Sequence, residues 1–195
     1  MVQTTADYRP ATIDDAEVLA KLVDFAGEGL PVYLWNQAKN RGETVWAFGR
    51  RCAMRKEGNF SYRNATVAEI NGQVVGSLLG YKLAAKPGPI DADMPAVFKP
   101  LQELENLAPA TWYVTVLAVY PEHRRRGLGT KLLSLAEIAA DDAGLQSLSI
   151  IVSDGNHEAK RLYEKSGYVE RATRLMVKEK WSNPGRNWVL LTKNL

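Results

Sequence analysis

A chain of 195 residues, 46% apolar and 24% charged, has the balance of an ordinary globular protein and excludes a disordered tail or a fibre. Its formal charge of +3 is too small to announce a nucleic-acid binder, which concentrates many Lys and Arg on one face. Cys52, the single cysteine, can form neither an internal disulfide nor a multi-cysteine metal site, and its setting in a helical pattern marks it as a small core residue. No stretch reaches the roughly 18 consecutive apolar residues that cross a bilayer. Met1–Pro10 also lack the basic-then-apolar order of a signal peptide. The expectation is one domain over residues 1–195, soluble and cytoplasmic, with neither membrane nor nucleic acid as a partner.

In chain order, Tyr8-Arg9-Pro10 reads as the end of a short strand, and Thr12-x-x-Asp15 as a capping box. The helix it opens carries Ala16, Leu19, Leu22 and Val23 on one face and stops near Gly27. Residues 27–44 read as irregular, although rich in aromatics, and a second helix is expected over Val45–Glu57. Thr66–Ile70, Asn71-Gly72 and Gln73–Tyr81 form a hairpin signal, because Asn-Gly supplies the positive φ angles of a tight primed turn. Five prolines between Lys82 and Ala110 exclude a long regular element there, apart from a short helix near Leu101–Leu107. Trp112–Val119 is a β-branched and aromatic strand, followed by a basic glycine loop and a helix over Leu128–Ala143 that Gly144 ends. Ser147–Val152 is a strand, Asn156 opens a helix that Gly167 ends, and Thr173–Lys178 and Trp188–Thr192 complete the strands. This order predicts an α/β domain with a mixed, mostly antiparallel sheet and a central, right-handed, parallel strand–helix–strand unit.

The chemistry concentrates in Val116–Thr130, where a strand ends, Arg124-Arg125-Arg126-Gly127-Leu128-Gly129 follows, and a helix begins. Amides at a helix start lack intrahelical partners and lie at the positive end of the dipole, which suits phosphate. The glycines allow close approach and the arginines add charge-assisted hydrogen bonds. A P-loop is excluded because Gly129 is followed by Thr130 and then Lys131, the wrong order. A dinucleotide fingerprint counted from Gly127 would put Leu132 where a small residue must stand.

The segment resembles the main signature of the GNAT superfamily of N-acetyltransferases, Arg/Gln-x-x-Gly-x-Gly/Ala at a strand-to-helix junction. Val116–Val119 with Pro121-Glu122 before it, and Asn156, Ala159, Leu162, Tyr163 and Gly167-Tyr168 after it, extend the likeness. The resemblance implies the GNAT fold, a twisted mixed sheet flanked by helices, and transfer of acetyl from acetyl-CoA to the primary amine of a small molecule, peptide or protein. It implies that Arg124, Arg125, Arg126, Gly127, Leu128, Gly129 and Thr130 surround the CoA pyrophosphate, with main-chain amides from Arg125 through Thr130 holding it. Leu117, Ala118 and Val119 would run beside the pantetheine arm, Asn156 would touch that arm, and Tyr163 would be the general acid at sulfur. Where some relatives carry a strand glutamate as base this chain has Tyr113, so Glu69, Glu28 and Glu122, or a water relay to solvent, remain open candidates. Glu28, Tyr33, Trp35, Tyr62, Arg63 and Tyr113 are expected at the acceptor pocket, and a homodimer is an option that look-alikes suggest.

Plainer readings stand beside these. The arginines could be a solvated loop, Tyr163 could pack beside Leu162, and Asn156 could simply cap its helix. His123 and His157 are expected to be exposed, and no metal is assigned. Against catalysis stand an acyl-CoA-binding module without turnover and, more remotely, an arginine contact to nucleic acid.

Overall fold

Hydrophobic periodicity and turn chemistry account for most of the elements in the computed structural model, which describes residues 6–195. Met1–Thr5, part of the stretch read for a leader, lie outside the described residues. The strands are β1 (Asp7–Pro10), β2 (Ala65–Ile70), β3 (Gln73–Lys82), β4 (Trp112–Val119), β5 (Ser147–Ser153), β6 (Val169–Leu175) and β7 (Asn187–Asn194). The helices are α1 (Ala16–Ala26), α2 (Leu30–Ala38), α3 (Val45–Ala53), α4 (Lys99–Glu105), α5 (Leu128–Asp142) and α6 (His157–Lys165). The seven strands form a mixed sheet in the order β1-β2-β3-β4-β5-β7-β6, in which β4 and β5 are the parallel pair. Two compact units divide the chain, residues 1–80 with 116–132 and residues 81–115 with 133–195, and their boundaries fall inside β3, β4 and α5.

In the first unit the 66–81 hairpin forms as expected. Asn71 and Gly72 both take positive φ, 51° and 75°, and Ile70 faces Gln73 across the turn. Leu19, Leu22, Ala53, Val67, Leu79 and Ala118 pack into its core. Asp15 starts the first helical turn as the sequence suggested, accepting from the Thr12 N–H at 2.7 Å, and the Arg9 guanidinium holds its carboxylate below the usual range. α2 was not expected. Pro31 sits in its first turn, where a missing N–H is harmless, and Asp24 reaches over from α1 to accept the Val32 N–H at 2.9 Å. α3 ends at Ala53, short of Glu57, because the residues beyond it turn away through Gly58.

Gly76 shows how closely β3 approaches β4: a Cβ there would lie 2.7 Å from the Ala118 carbonyl oxygen. A backbone atom cannot swing aside as a side chain can. Gly76→Ala is therefore expected to cost about 1–3 kcal/mol, read as a lowered urea midpoint with an unchanged slope.

The second unit contains the excursion with the prolines, closed at its base by hydrogen bonds from the Leu83 N–H to the Thr111 oxygen and from the Ala110 N–H to the Ala84 oxygen. Leu104, Val114, Leu133, Leu148, Ile150, Leu190 and Leu191 are its largely inaccessible aliphatic residues. Gly144 at φ 68° and Gly167 at φ 89° follow α5 and α6 as left-handed stops. β6 begins directly after Tyr168, four residues before the expected start, and Arg171 lies at its bulge between Glu170 and Ala172. Its charged residues Glu170, Arg171 and Arg174 suit an edge strand that bonds only to β7. Cys52, in the first unit, is buried, and that burial pushes its thiol up, as a packing residue requires.

Candidate active site

In the first unit β4 delivers the chain to the basic loop. Tyr120 donates its N–H to Val75 on β3, so by strand alternation Leu117 and Val119 direct their main-chain groups away from β3, while Ala118 faces it. The register with β5 covers only Trp112–Val114 and takes in none of the residues from Thr115 to Val119. After the strand, Arg124 donates its N–H to Pro121, and the next main-chain N–H to find a main-chain acceptor is that of Lys131, on Gly127. Between them, the amides of Arg125 to Thr130 have no acceptor among the described residues. Arg125 at φ 58° and Gly127 at φ 79° are both left-handed, a conformation that turns successive N–H groups toward one side. For Arg125 that conformation costs about 1 kcal/mol or more, a strain the loop retains.

The three arginines differ. Arg124 lies over the Phe25 ring at 5.2 Å and donates Nε to the Val119 oxygen at 3.2 Å, which braces the loop on α1 and the strand end. Arg126 donates to the Glu122 oxygen at 3.2 Å, and Arg125 makes no side-chain hydrogen bond among the described residues. Leu128 is buried and anchors α5, while Gly129 is half-buried and Thr130 exposed. A run of unpartnered amides at the start of a fifteen-residue helix, flanked by exposed guanidinium groups, has the donor set that a pyrophosphate requires.

In the second unit Asn156 caps α6, accepting the Ala159 N–H at 3.2 Å through its carbonyl oxygen, while its amide nitrogen has no partner among the described residues. Tyr163 is 5% exposed, and its ring lies 6.0 Å from that of Tyr168. Tyr113, placed by β4, meets the Tyr81 ring edge-on at 5.6 Å. Burial raises both phenols well above the ordinary range. Tyr113 also interacts electrostatically with Tyr163, and Glu105 with both Tyr81 and Tyr113. Tyr81 and Glu105 were not singled out in the sequence. The signal for Glu105 was present: with Leu101, Leu104 and Ala108 it occupies positions i, i+3, i+4 and i+7 of one helical stripe.

The other expected residues are placed differently. Trp35 is a packing element of the first unit, stacked on Phe60 at 5.8 Å and met edge-on by Trp46, and Gly49 leaves room for its ring. Tyr33 and Tyr62 are half-buried and Arg63 is exposed, its Nε 3.5 Å from the Tyr62 hydroxyl. Glu28 lies in the left-handed turn before α2 at φ 53°. Glu69 is held by Arg9 at 2.8 Å, and Glu122 is exposed beside the basic loop. His157 is exposed, but His123, in the turn Pro121–His123, is half-buried with its Nδ1 enclosed. Among the described residues no cluster of three or more His, Cys, Asp or Glu could hold a metal ion. No described helix is long and apolar enough to cross a membrane.

The sequence profile of the acetyltransferase (GNAT) family matches residues 31–168. The chain belongs to the GNAT acetyltransferase family. Among proteins of curated function none is significantly similar in sequence. Solved GNAT structures share the fold. Mosquito arylalkylamine N-acetyltransferase like 5b matches with a TM-score of 0.69 at 17% identity, covering 98% of this chain and 100% of that one. The Drosophila melanogaster polyamine N-acetyltransferase matches with a TM-score of 0.64 at 16% identity, over 98% and 100% of the two chains. A GNAT acetyltransferase from Elizabethkingia anophelis, solved with acetyl-CoA bound, matches at 0.50 and 18% identity over 67% of this chain and 75% of that one. This GNAT enzyme is an acyltransferase with the family's mixed sheet, and acetyl-CoA is its co-substrate.

Proposed function

We propose that this enzyme transfers the acetyl group of acetyl-CoA directly to a primary amine carried by a small molecule or peptide. The observation that carries the reading is the run of unpartnered amides from Arg125 to Thr130 at the start of α5, a ready acceptor for the CoA pyrophosphate. Leu117 offers its outward main-chain groups, and Val119 its N–H, to the pantetheine arm, which mimics a strand. Asn156 adds its free side-chain amide, and Tyr163 supplies the proton that the departing sulfur needs. Alignment does most of the catalytic work, since a neutral amine attacks a thioester without covalent help. On the acceptor side, Glu28, Tyr33, Tyr62 and Arg63 offer mixed polar and aromatic contacts, whereas Trp35 is committed to packing.

The test is calorimetric titration with acetyl-CoA, together with thiol release over phenethylamine, agmatine, spermidine and the tripeptide Met-Ala-Ala. The first three probes follow the amines named for structural neighbours. The expected result is micromolar binding and turnover on at least one amine, with no binding of ATP. Binding with no thiol release on any amine would instead identify a CoA-binding module.

A further inference from the structure

Phe25 stands in the last turn of α1, off the stripe that Leu19, Leu22 and Val23 bury, and it stays 39% exposed. The solvent side of a helix ordinarily carries polar residues, and an aromatic there gains little from burial. Its ring instead meets two residues of the segment that leads into the basic loop. The Tyr120 ring lies 6.3 Å away, tilted by 50°, and the Arg124 guanidinium lies over the face at 5.2 Å. We propose that Phe25 is a positioning residue for acetyl-CoA, a seat for Arg124 that fixes the direction in which the Arg125–Thr130 amides leave the strand. The assignment rests on the reading of that loop as the pyrophosphate site.

All of these residues belong to the first unit. Between Tyr120 and Arg124 the chain makes a short turn that is held at both ends. Tyr120 donates its N–H to the Val75 oxygen on β3 at 3.0 Å, and its side chain packs against the core of the unit. His123 donates to the Tyr120 oxygen at 2.9 Å, and the Arg124 N–H to the Pro121 oxygen at 3.2 Å. The Arg124 side chain then folds back to donate Nε to the Val119 oxygen at 3.2 Å, so one residue closes the turn through both its main chain and its side chain. Arg125, the next residue, is left-handed and begins the run of unpartnered amides. What sets Arg124 therefore sets the first of those amides.

An exposed hydrogen bond from a long, flexible side chain is weak alone, because water competes for the donor and the ordered rotamer costs entropy. The face of an aromatic ring attracts a guanidinium independently of that bond, and the Tyr120 ring packed beside Phe25 limits how far the seat can turn. The seat also stands on a fixed support, since Leu19 and Leu22 of the same helix are fully enclosed in the core. The brace thus runs from the core through α1, the Phe25 ring and Arg124 to the start of the anion loop. Phe25 acts through Arg124 and the pyrophosphate, so removing its ring should weaken the hold on the donor without slowing the chemical step.

The test measures acetyl-CoA binding by calorimetry, and steady-state kinetics on the fastest of the four amines, for Phe25→Leu, Phe25→Tyr, Arg124→Gln and the Phe25→Leu/Arg124→Gln pair. Leu keeps apolar bulk without a ring face, Tyr keeps both, and Gln keeps a donor for the Val119 oxygen but loses the charge. Phe25→Leu is expected to raise the Kd and KM for acetyl-CoA about threefold to tenfold, with kcat at saturating acetyl-CoA within about twofold of the parent. Its melting temperature should stay within about 2 °C, and Phe25→Tyr should bind as the parent does. On the Arg124→Gln background, Phe25→Leu should weaken binding by less than about twofold more, because the seat then has nothing to hold. S-acetylpantetheine carries the thioester and arm without a pyrophosphate, so its kcat/KM should be equal in Phe25→Leu and the parent. An unchanged Kd in Phe25→Leu, or a loss as large on the Arg124→Gln background or with S-acetylpantetheine, would overturn the seat while leaving the loop as the pyrophosphate site. A parent that binds no acetyl-CoA, or a Gly127→Val protein that binds it as the parent does, would remove the pyrophosphate reading itself.

Discussion

Gly127→Val is expected to weaken acetyl-CoA binding by about 10²-fold or more while lowering the melting temperature by only a few degrees. Gly127 has φ 79°, where a β-branched residue is a genuine outlier, yet a Cβ there would meet nothing within 4 Å. The substitution therefore introduces no clash, only torsional strain of about 1–3 kcal/mol, which an exposed loop relieves by rotating back toward negative φ. That rotation turns the neighbouring amides of the Arg125–Thr130 run away from their common target. Hydrogen bonds to a charged group contribute about 1.5–3 kcal/mol each, so misaimed amides at two positions remove about 3–6 kcal/mol, or 10² to 10⁴ in affinity. Arg125 alongside, already left-handed without being glycine, leaves the loop little freedom to compensate. Calorimetric titration of the variant with acetyl-CoA reads the effect directly. Micromolar affinity in a folded Gly127→Val protein would mean that the pyrophosphate is held elsewhere.

The strand, glycine loop and helix start were legible because their signal is local and contiguous, and the unpartnered amides follow from where α5 begins. The 71–72 turn and the caps at Asn156, Gly144 and Gly167 were legible for the same reason. α2 was not, since its first turn is completed by Asp24, eight residues before the N–H it accepts, and Pro31 reads as a break unless that partner is known. The Tyr81–Tyr113 ring contact shows the same limit over a longer span, since the two meet only once β3 and β4 are folded. Trp35 errs in the other direction, because an aromatic in an apparent loop suggests a pocket until Phe60 and Gly49 are seen packed against it. Glu69 became a structural residue only when register set Arg9 beside it.

Tyr163→Phe is expected to lower kcat by about 10²-fold while leaving the KM for acetyl-CoA within about twofold. The side chain is 5% exposed and its ring packs on Tyr168, so Phe keeps the shape and removes only the hydroxyl. A loss of packing would appear as a lower melting temperature, and loss of an acid as slower turnover, which separates the two roles of this residue. Protonation of the leaving sulfur gains nothing from alkaline solution, so the defect should persist from about pH 6 to about pH 9. Equal turnover in Tyr163→Phe would reduce the phenol to a partner of Tyr168.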